Sequence, residues 1–206
     1  MVYLRGEKTR QEFTAKHDLK PISYQKLLKG QTKESAGGTE LTDRYYCFLY
    51  NRKGIDEQKT FICGYHIAKD LLRLTNQEEL PLFNPLKTEP IYRNKQAEGN
   101  NGNRAIRQWD DVAHQLSDAI NLFIAYWDKP IYGVLAEIHS EVNTNYFETP
   151  KDGKIKAVNT CLYKIIHEKT LKDIEQELSK NNDIKSYDFN LLNEVLKRNN
   201  IESSFG

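Results

Sequence analysis

The feature that most constrains this chain is a long segment of apolar residues with helical spacing, residues 106–127. Ten apolar side chains recur there at steps of three and four residues. On a helix they cover an arc of about 140°, which is wide enough to face a globular core and wider than a coiled-coil seam. The sequence therefore predicts a central helix over 106–127, against which the rest of the chain packs.

A β-hairpin is predicted upstream of this helix. Residues 44–50 and 59–65 are rich in aromatic and β-branched side chains, and the polar stretch 52–57 between them has the composition of a turn. Apolar spacing after the hairpin predicts a short helix over 66–75.

The C-terminal half reads as further helices. The predicted segments are approximately 131–142, 155–168, 170–179 and 187–199. Thr170 and Ser186 are candidate N-caps for the last two, because a hydroxyl there accepts an otherwise unpaired backbone N–H. These patterns predict an α+β fold, in which a small β-hairpin or sheet region in the N-terminal part packs with a mainly helical C-terminal part.

A polar, proline-containing stretch suggests where these parts meet. It divides the chain into a hairpin-containing part (1–86), a loop or linker (87–105) and a helical part (106–206), unless the whole chain forms one single domain.

Composition excludes several classes of protein. The chain has 206 residues, of which 30 are basic and 29 acidic, so the formal net charge is +1. This balance is not that of a polycation or an acidic disordered tail, and no apolar run is long enough to cross a membrane. Three cysteines without close spacing, and no apolar segment after the first charged residues, predict a soluble cytoplasmic protein.

Basic side chains are concentrated between residues 87 and 107. Arg93 and Lys95 form, with Lys87, a basic strip that contains Tyr92, and Arg104 and Arg107 follow a glycine- and asparagine-rich loop. Backbone N–H groups at a helix start together with guanidinium groups suit a phosphate, and such binding weakens with salt. The alternative is a flexible loop followed by two solvated arginines.

The last three predicted helices have a trihelical arrangement of the kind that reads DNA. Lys197 and Arg198 lie on the outer side of the third helix and are candidates for contacts to phosphates or base edges. The connection before this helix is longer than a usual helix-turn-helix turn, and plain packing of three amphipathic helices is the alternative.

Three residues of the hairpin region suggest a metal site. If the turn centres on Ile55, Cys47 lies opposite Cys63 with Cβ atoms about 4.5–5.5 Å apart, and His66 follows three residues later. Two thiolates and an imidazole are three of the four ligands that zinc prefers. The alternative is that both cysteines are small apolar residues inside a sheet.

Acidic residues suggest a second kind of metal site. Asp110, Asp111, His114 and Asp118 are ligands of the type that hold Mg²⁺ and activate water. Helical geometry places them opposite the apolar arc of 106–127, where a solvated face is the simpler interpretation. The same face lines a cleft if the first part of the chain folds over it.

Two weaker acidic patterns extend the hydrolase hypothesis. Asp43 with Glu57 and Lys59 superficially resembles a nuclease arrangement of two carboxylates and a lysine. Glu137 and Glu141 would align with the residue between them, His139, only if 134–142 were a strand.

The sequence thus favours a nucleic-acid-associated or regulatory binding protein without catalytic activity, with nucleic acid as its partner. A metal-dependent hydrolase or nuclease is the first alternative, and zinc or magnesium fits one candidate site each without being specified. A protein–protein interaction module is the second alternative, in which Tyr45, Tyr46 and Tyr50 would be exposed to a protein partner.

Overall fold

A computed structural model describes residues 2–87, 108–127 and 129–206, and within these residues the fold is α+β, as predicted. The strands are β1 (His17–Lys26), β2 (Lys33–Glu34), β3 (Glu40–Leu41), β4 (Arg44–Arg52) and β5 (Lys59–Cys63). The helices are α1 (Glu7–Lys16), α2 (Tyr65–Leu74), α3 (Asp111–Trp127), α4 (Gly133–Thr144), α5 (Asp152–Ile166), α6 (Leu171–Ser179) and α7 (Asn190–Arg198).

The main sheet is antiparallel, with β4 between β1 and β5, while β2 and β3 form a separate two-stranded ladder. Residues 45–49 of β4 are all buried because both faces of the sheet are covered. Tyr45 and Cys47 point into a cluster with the C-terminal helices, and Tyr46 and Phe48 point into a second cluster with α2. Alternation along a strand therefore sends neighbouring side chains of β4 into two different cores.

Helix α3 lies at the centre of the larger core, as its periodicity predicts, but residues 108–110, which the prediction included, lie outside the helix. Ten of its side chains are buried, and it packs against α4, α6, α7 and β1. No helix among the described residues has both the length and the apolar character needed to cross a membrane.

The predicted hairpin is confirmed, but its predicted register is wrong by one residue. Cys63 pairs with Tyr46, and Cys47 pairs with Ile62. The tight turn lies at Arg52–Ile55, closed by a hydrogen bond from the Ile55 N–H to the Arg52 carbonyl, with Gly54 at φ 80°. A shift of one residue moves a side chain to the other face of a sheet. Cys47 and Cys63 consequently lie in different cores.

Helix α1 and strand β1 were not predicted from the sequence. Pro21 interrupts the strand signal of β1, since proline cannot donate to a ladder. The structure accommodates it on the edge strand of the sheet, next to a bulge at which Ile22 is left without a cross-strand partner.

The remaining helix predictions agree with α2, α4, α5, α6 and α7 to within a few residues at their ends. Thr170 caps α6 in a reciprocal capping box with Asp173. The predicted cap at Ser186 is wrong, because the residue before α7 is Phe189. Tyr45 and Tyr46 are buried rather than exposed, so they do not form a surface for a protein partner. Arg93, Lys95, Arg104 and Arg107 lie outside the described residues.

Burial of the cysteines predicts their reactivity. Cys47 and Cys63 are 2% and 0% exposed, and burial raises the pKa of Cys47 to about 12 and that of Cys63 further still. Cys161 is only partly buried, and Lys164 offsets part of the rise in its pKa. In native protein we expect a thiol reagent to modify Cys161 alone, and all three cysteines after denaturation in guanidinium. Modification of two or more thiols before unfolding would contradict the burial of the pair.

Candidate functional site

A cavity of about 170 Å³ lies where β1, the segment 80–83 and helices α3 and α4 meet. Its lining is polar on the helical side and apolar on the side of the segment. The lining residues are Ser23, Tyr24, Leu80, Pro81, Leu82, Phe83, Trp109, His114, Ser117, Asp118, Asn121, His139 and Asn143.

The polar wall comes from stripes on two neighbouring helices. His114, Ser117, Asp118 and Asn121 follow the spacing i, i+3, i+4, i+7 along α3, so they share one side of the helix. On α4, His139 and Asn143 are four residues apart. Sequence reasoning singled out His114 and Asp118 but passed over Ser117, Asn121 and Asn143. The signal was present as two polar stripes on helices that are otherwise core-forming.

A chain of hydrogen bonds links these stripes to the sheet. Gln25 Nε2 donates to Asn121 Oδ1 at 2.6 Å, and Asn121 Nδ2 donates to Ser117 Oγ at 3.2 Å. Ser117 Oγ donates in turn to Asn143 Oδ1 at 3.1 Å. Gln25 reaches α3 because it pairs with Tyr45 and so faces the helical core. The chain gives each amide group a defined orientation.

Several buried polar atoms beside these hydrogen bonds have no hydrogen-bond partner among the described residues. They are Ser23 Oγ, Gln25 Oε1 and both ring nitrogens of His139. Ser23 is 2% exposed and His139 is 0% exposed, and both line the cavity. A buried polar group without a partner costs about 1–3 kcal/mol, and such groups are rare in native proteins. The presence of two such residues, Ser23 and His139, at one cavity is typical of a site that receives the polar groups of a ligand.

His139 is neutral at physiological pH. Loss of solvation on burial lowers its pKa to about 3, and the carbonyl of Ile22 opposes this shift only in part, without reaching hydrogen-bonding geometry. A neutral imidazole has one N–H donor and one acceptor nitrogen. His139 therefore lines the cavity as an uncharged ring with one donor and one acceptor nitrogen.

Among the described residues, Asp118 is the only carboxylate that lines the cavity. Its side chain is 26% exposed, and Oδ2 lies 3.5 Å from Nδ1 of His114, on the preceding helical turn. Burial raises the pKa of Asp118, while His114 and Lys185 offset part of that rise. A ligand N–H group that replaces the lost solvent would stabilise this carboxylate.

The other members of the predicted acidic set have structural roles or point elsewhere. Asp110 precedes α3, and its Oδ1 accepts the N–H groups of Val112 and Ala113 at 3.0 Å each. Its Oδ2 accepts the hydroxyl of Thr149 at 2.6 Å. Asp111 is exposed. In the part of the chain that the structure describes, no three histidine, cysteine or acidic side chains are grouped to hold a metal ion.

The two weaker acidic patterns are also dispersed. Asp43 bonds Lys26 and Arg44 at one end of β4, and Glu57 pairs with Lys59 near the other end, roughly 30 Å away at strand spacing. Residues 133–144 are helical, so Glu137, His139 and Glu141 do not align. Glu141 pairs with Lys154, and Glu137 accepts a hydrogen bond from Gln58.

The remaining predicted site residues do not lie at the cavity. His66 is exposed on α2, while Cys47 and Cys63 are buried in separate cores, so the structure does not bring the proposed zinc ligands together. Lys197 and Arg198 are exposed at the C-terminal end of α7. Their contact with nucleic acid stays a prediction.

Fold and cavity together define an α+β protein with a small polar cavity between a sheet and two core helices. The chain belongs to the family described as uncharacterised conserved protein UCP028583, whose model matches residues 4–204. No curated protein and no solved structure matches the chain.

The position of Asp110 predicts a stability role. Asp110→Ala should lower the free energy of unfolding by about 0.5–2 kcal/mol, because two backbone N–H groups at the start of α3 lose their acceptor. Asp110→Asn should retain most of the stability, since asparagine is also a good N-cap. Urea denaturation checks both, with Asp111→Ala as the exposed control. Equal effects of the alanine variants at 110 and 111 would contradict the cap.

The buried His139 predicts a pH dependence of stability. Its folded pKa lies below the unfolded value of about 6.5, so its contribution is complete above pH 6.5 and is lost as the pH falls toward 3. Between pH 7 and pH 5 the loss is about 2 kcal/mol. We expect His139→Leu to remove this part of the slope in urea denaturation, and the exposed control His66→Leu to keep it. An unchanged slope in His139→Leu would show that the ring is solvated.

Proposed function

We propose that the protein is a nucleic-acid-associated binding protein without catalytic activity, and that its cavity receives one unpaired nucleobase of a single strand. The observation that carries this proposal is the set of buried, unpartnered polar atoms of Ser23 and His139 in a cavity that also has aromatic walls. Nucleobases are planar rings with several hydrogen-bonding groups at their edges, and single-stranded nucleic acid exposes both faces and edges.

The size of the cavity favours a fragment with one small ring system. At about 170 Å³ it lies below the range of roughly 300–1,000 Å³ that is typical for drug-sized ligands. A base fits this description better than a whole nucleotide. The sugar and phosphate would then remain outside, as they do when a base is turned out of a strand into a pocket.

The aromatic side chains supply a stacking surface. Trp109 lies just before α3, where its ring contacts Tyr146 and His114 at centroid distances of 5.4 and 5.6 Å. Phe83 lines the cavity from the segment 80–83 and stacks on Tyr187 at 5.9 Å. These contacts hold both rings in place before a ligand arrives, which lowers the entropic cost of stacking.

The charge of the lining also favours a base over a phosphate. In the part of the chain that the structure describes, no lysine or arginine lines the cavity, and Asp118 is acidic. A phosphate inside the cavity would be repelled by this carboxylate. Contacts to the backbone would have to come from basic side chains outside the cavity, for which the sequence offers the strip at residues 87–107.

A binding assay with paired and unpaired strands tests the proposal. We expect a fluorescein-labelled single-stranded 12-mer to bind more tightly than the same sequence as a duplex, whose bases are paired and stacked. Trp109→Ala should weaken single-strand binding by about 1–3 kcal/mol, or roughly 5- to 150-fold in Kd, through loss of stacking. Trp109→Phe should restore most of it.

Two controls locate the site. Tyr132→Ala removes a tyrosine that is 76% exposed and does not line the cavity, so it should leave binding unchanged. The double variant Lys197→Ala with Arg198→Ala tests the alternative surface on α7. If it abolishes binding while Trp109→Ala has no effect, the cavity is not the nucleic-acid site. Equal affinity for single strand and duplex would also contradict base capture.

The pairing of His114 with Asp118 beside the cavity favours a second candidate, a hydrolase in which the imidazole acts as a base. Cleavage of the labelled strand during the assay, lost in His114→Ala, would support this function. An intact strand after overnight incubation supports binding alone.

A further inference from the structure

Two polar groups that line the cavity can form hydrogen bonds with the edge of a ligand, one as an acceptor and one as a donor. Asp118 Oδ2 faces His114, whereas Oδ1 has no hydrogen-bond partner among the described residues. Asp118 lines the cavity, so this second oxygen is available to accept an N–H group there.

The donor comes from Asn143. Its Oδ1 accepts a hydrogen bond from the Ser117 hydroxyl, so the amide nitrogen of Asn143 points away from Ser117. The nitrogen has no partner among the described residues, although Asn143 lines the cavity. Because the amide orientation follows from the hydrogen-bond chain that begins at Gln25, Asn143 is held as a donor rather than free to rotate.

Asn121 is not available in the same way. Its oxygen accepts from Gln25 and its nitrogen donates to Ser117, so both ends of the amide are engaged inside the protein. It acts as a positioning residue for Asn143, and the groups that meet the ligand edge are Asp118 and Asn143.

We infer, resting on the proposed function, that the cavity selects cytosine over thymine or uracil, with Asp118 accepting from the exocyclic amine and Asn143 donating to a neighbouring ring acceptor. Cytosine has an amine donor at position 4 with an acceptor nitrogen beside it. Carboxylates commonly accept from this amine. Thymine and uracil have a carbonyl oxygen at position 4, which would face the carboxylate as a second acceptor, and an N–H beside it, which would face the amide donor.

The unpartnered buried groups reinforce this selection. Ser23 and the neutral His139 can each donate or accept, so they can satisfy the remaining edge of either pyrimidine. Asp118 is different, because a carboxylate without its proton only accepts. Discrimination between bases therefore depends on Asp118 and on the fixed amide of Asn143. The small volume of the cavity favours a pyrimidine over a purine with the same donor and acceptor pattern.

Competition between homopolymers tests this inference. Unlabelled 12-mers of deoxycytidine and of thymidine compete with the labelled single strand at pH 7.5, and cytidine and uridine nucleosides compete in a parallel series. We expect the deoxycytidine strand to compete at least tenfold better than the thymidine strand, and cytidine better than uridine. Asp118→Asn should reduce the preference to less than threefold, chiefly by improving binding of the thymidine strand, because an amide can donate to the carbonyl. Asp56→Asn, the same change at an exposed position of the hairpin turn, should leave the preference intact.

The outcomes separate this inference from the proposed function. If the two strands bind with equal affinity and Trp109→Ala weakens the binding of both, the selection of cytosine is overturned, but the capture of a base in the cavity is still supported. No binding of any single strand would overturn both. If Asp118→Asn melts at a much lower temperature than the wild type, Asn143→Ala provides the second test. Asn143→Ala should weaken binding of the deoxycytidine strand more than binding of the thymidine strand. An equal loss of affinity for both strands would overturn the inference.

Discussion

The structure depends on one buried polar contact between its two halves, the hydrogen bond from Gln25 to Asn121. It spans 96 positions of the sequence at 2.6 Å and joins the edge strand β1 to the central helix α3 in the interior of the protein. An apolar contact tolerates sliding, whereas a buried hydrogen bond is lost when its atoms separate. The bond therefore holds α3 at a defined position over the sheet. Through Ser117 it extends this control to Asn143 on α4.

Buried polar groups around the cavity lower the stability of the fold unless a ligand or another residue forms hydrogen bonds with them. His139 is fully buried and has no hydrogen-bond partner among the residues that the structure describes, and Asp118 is held largely away from water beside His114. Apolar side chains of similar volume would fill the same space at lower cost. Proteins depart from such local rules mainly at functional sites. The buried polar groups of His139 and Asp118 lie at a cavity that is also lined by the packed rings of Trp109 and Phe83. The proposal that the cavity captures a base depends on this combination.

Much of the fold follows from local patterns, and the errors of prediction have specific physical causes. The ten apolar positions of 106–127 predict α3, and Thr170 predicts the start of α6, because each signal lies within a few residues of the structure it specifies. Pro21 interrupts the sequence signal of strand β1, which forms because β4 provides an edge with which it can pair. The hairpin was predicted but not its register. The pairs Tyr46–Cys63 and Cys47–Ile62 place the centre of the strand pairing half a residue before Ile55, and this displacement separates Cys47 from Cys63.

The sequence by itself determined the class of the fold and the central helix, and it singled out His114 and Asp118 only as candidates for a metal site on a face that it favoured as solvated. These rest on periodicity and composition, which are properties of contiguous residues. Only the tertiary structure decided that Asp110 is a cap, that the cysteines lie in separate cores, and that Ser23, Ser117 and Asn143 converge on one cavity. The reason is that a polar stripe on a helix has the same residue pattern in the sequence whether it is exposed to water or packs against a neighbouring strand. The difference arises only when β1 and the segment 80–83 pack over α3 and enclose it.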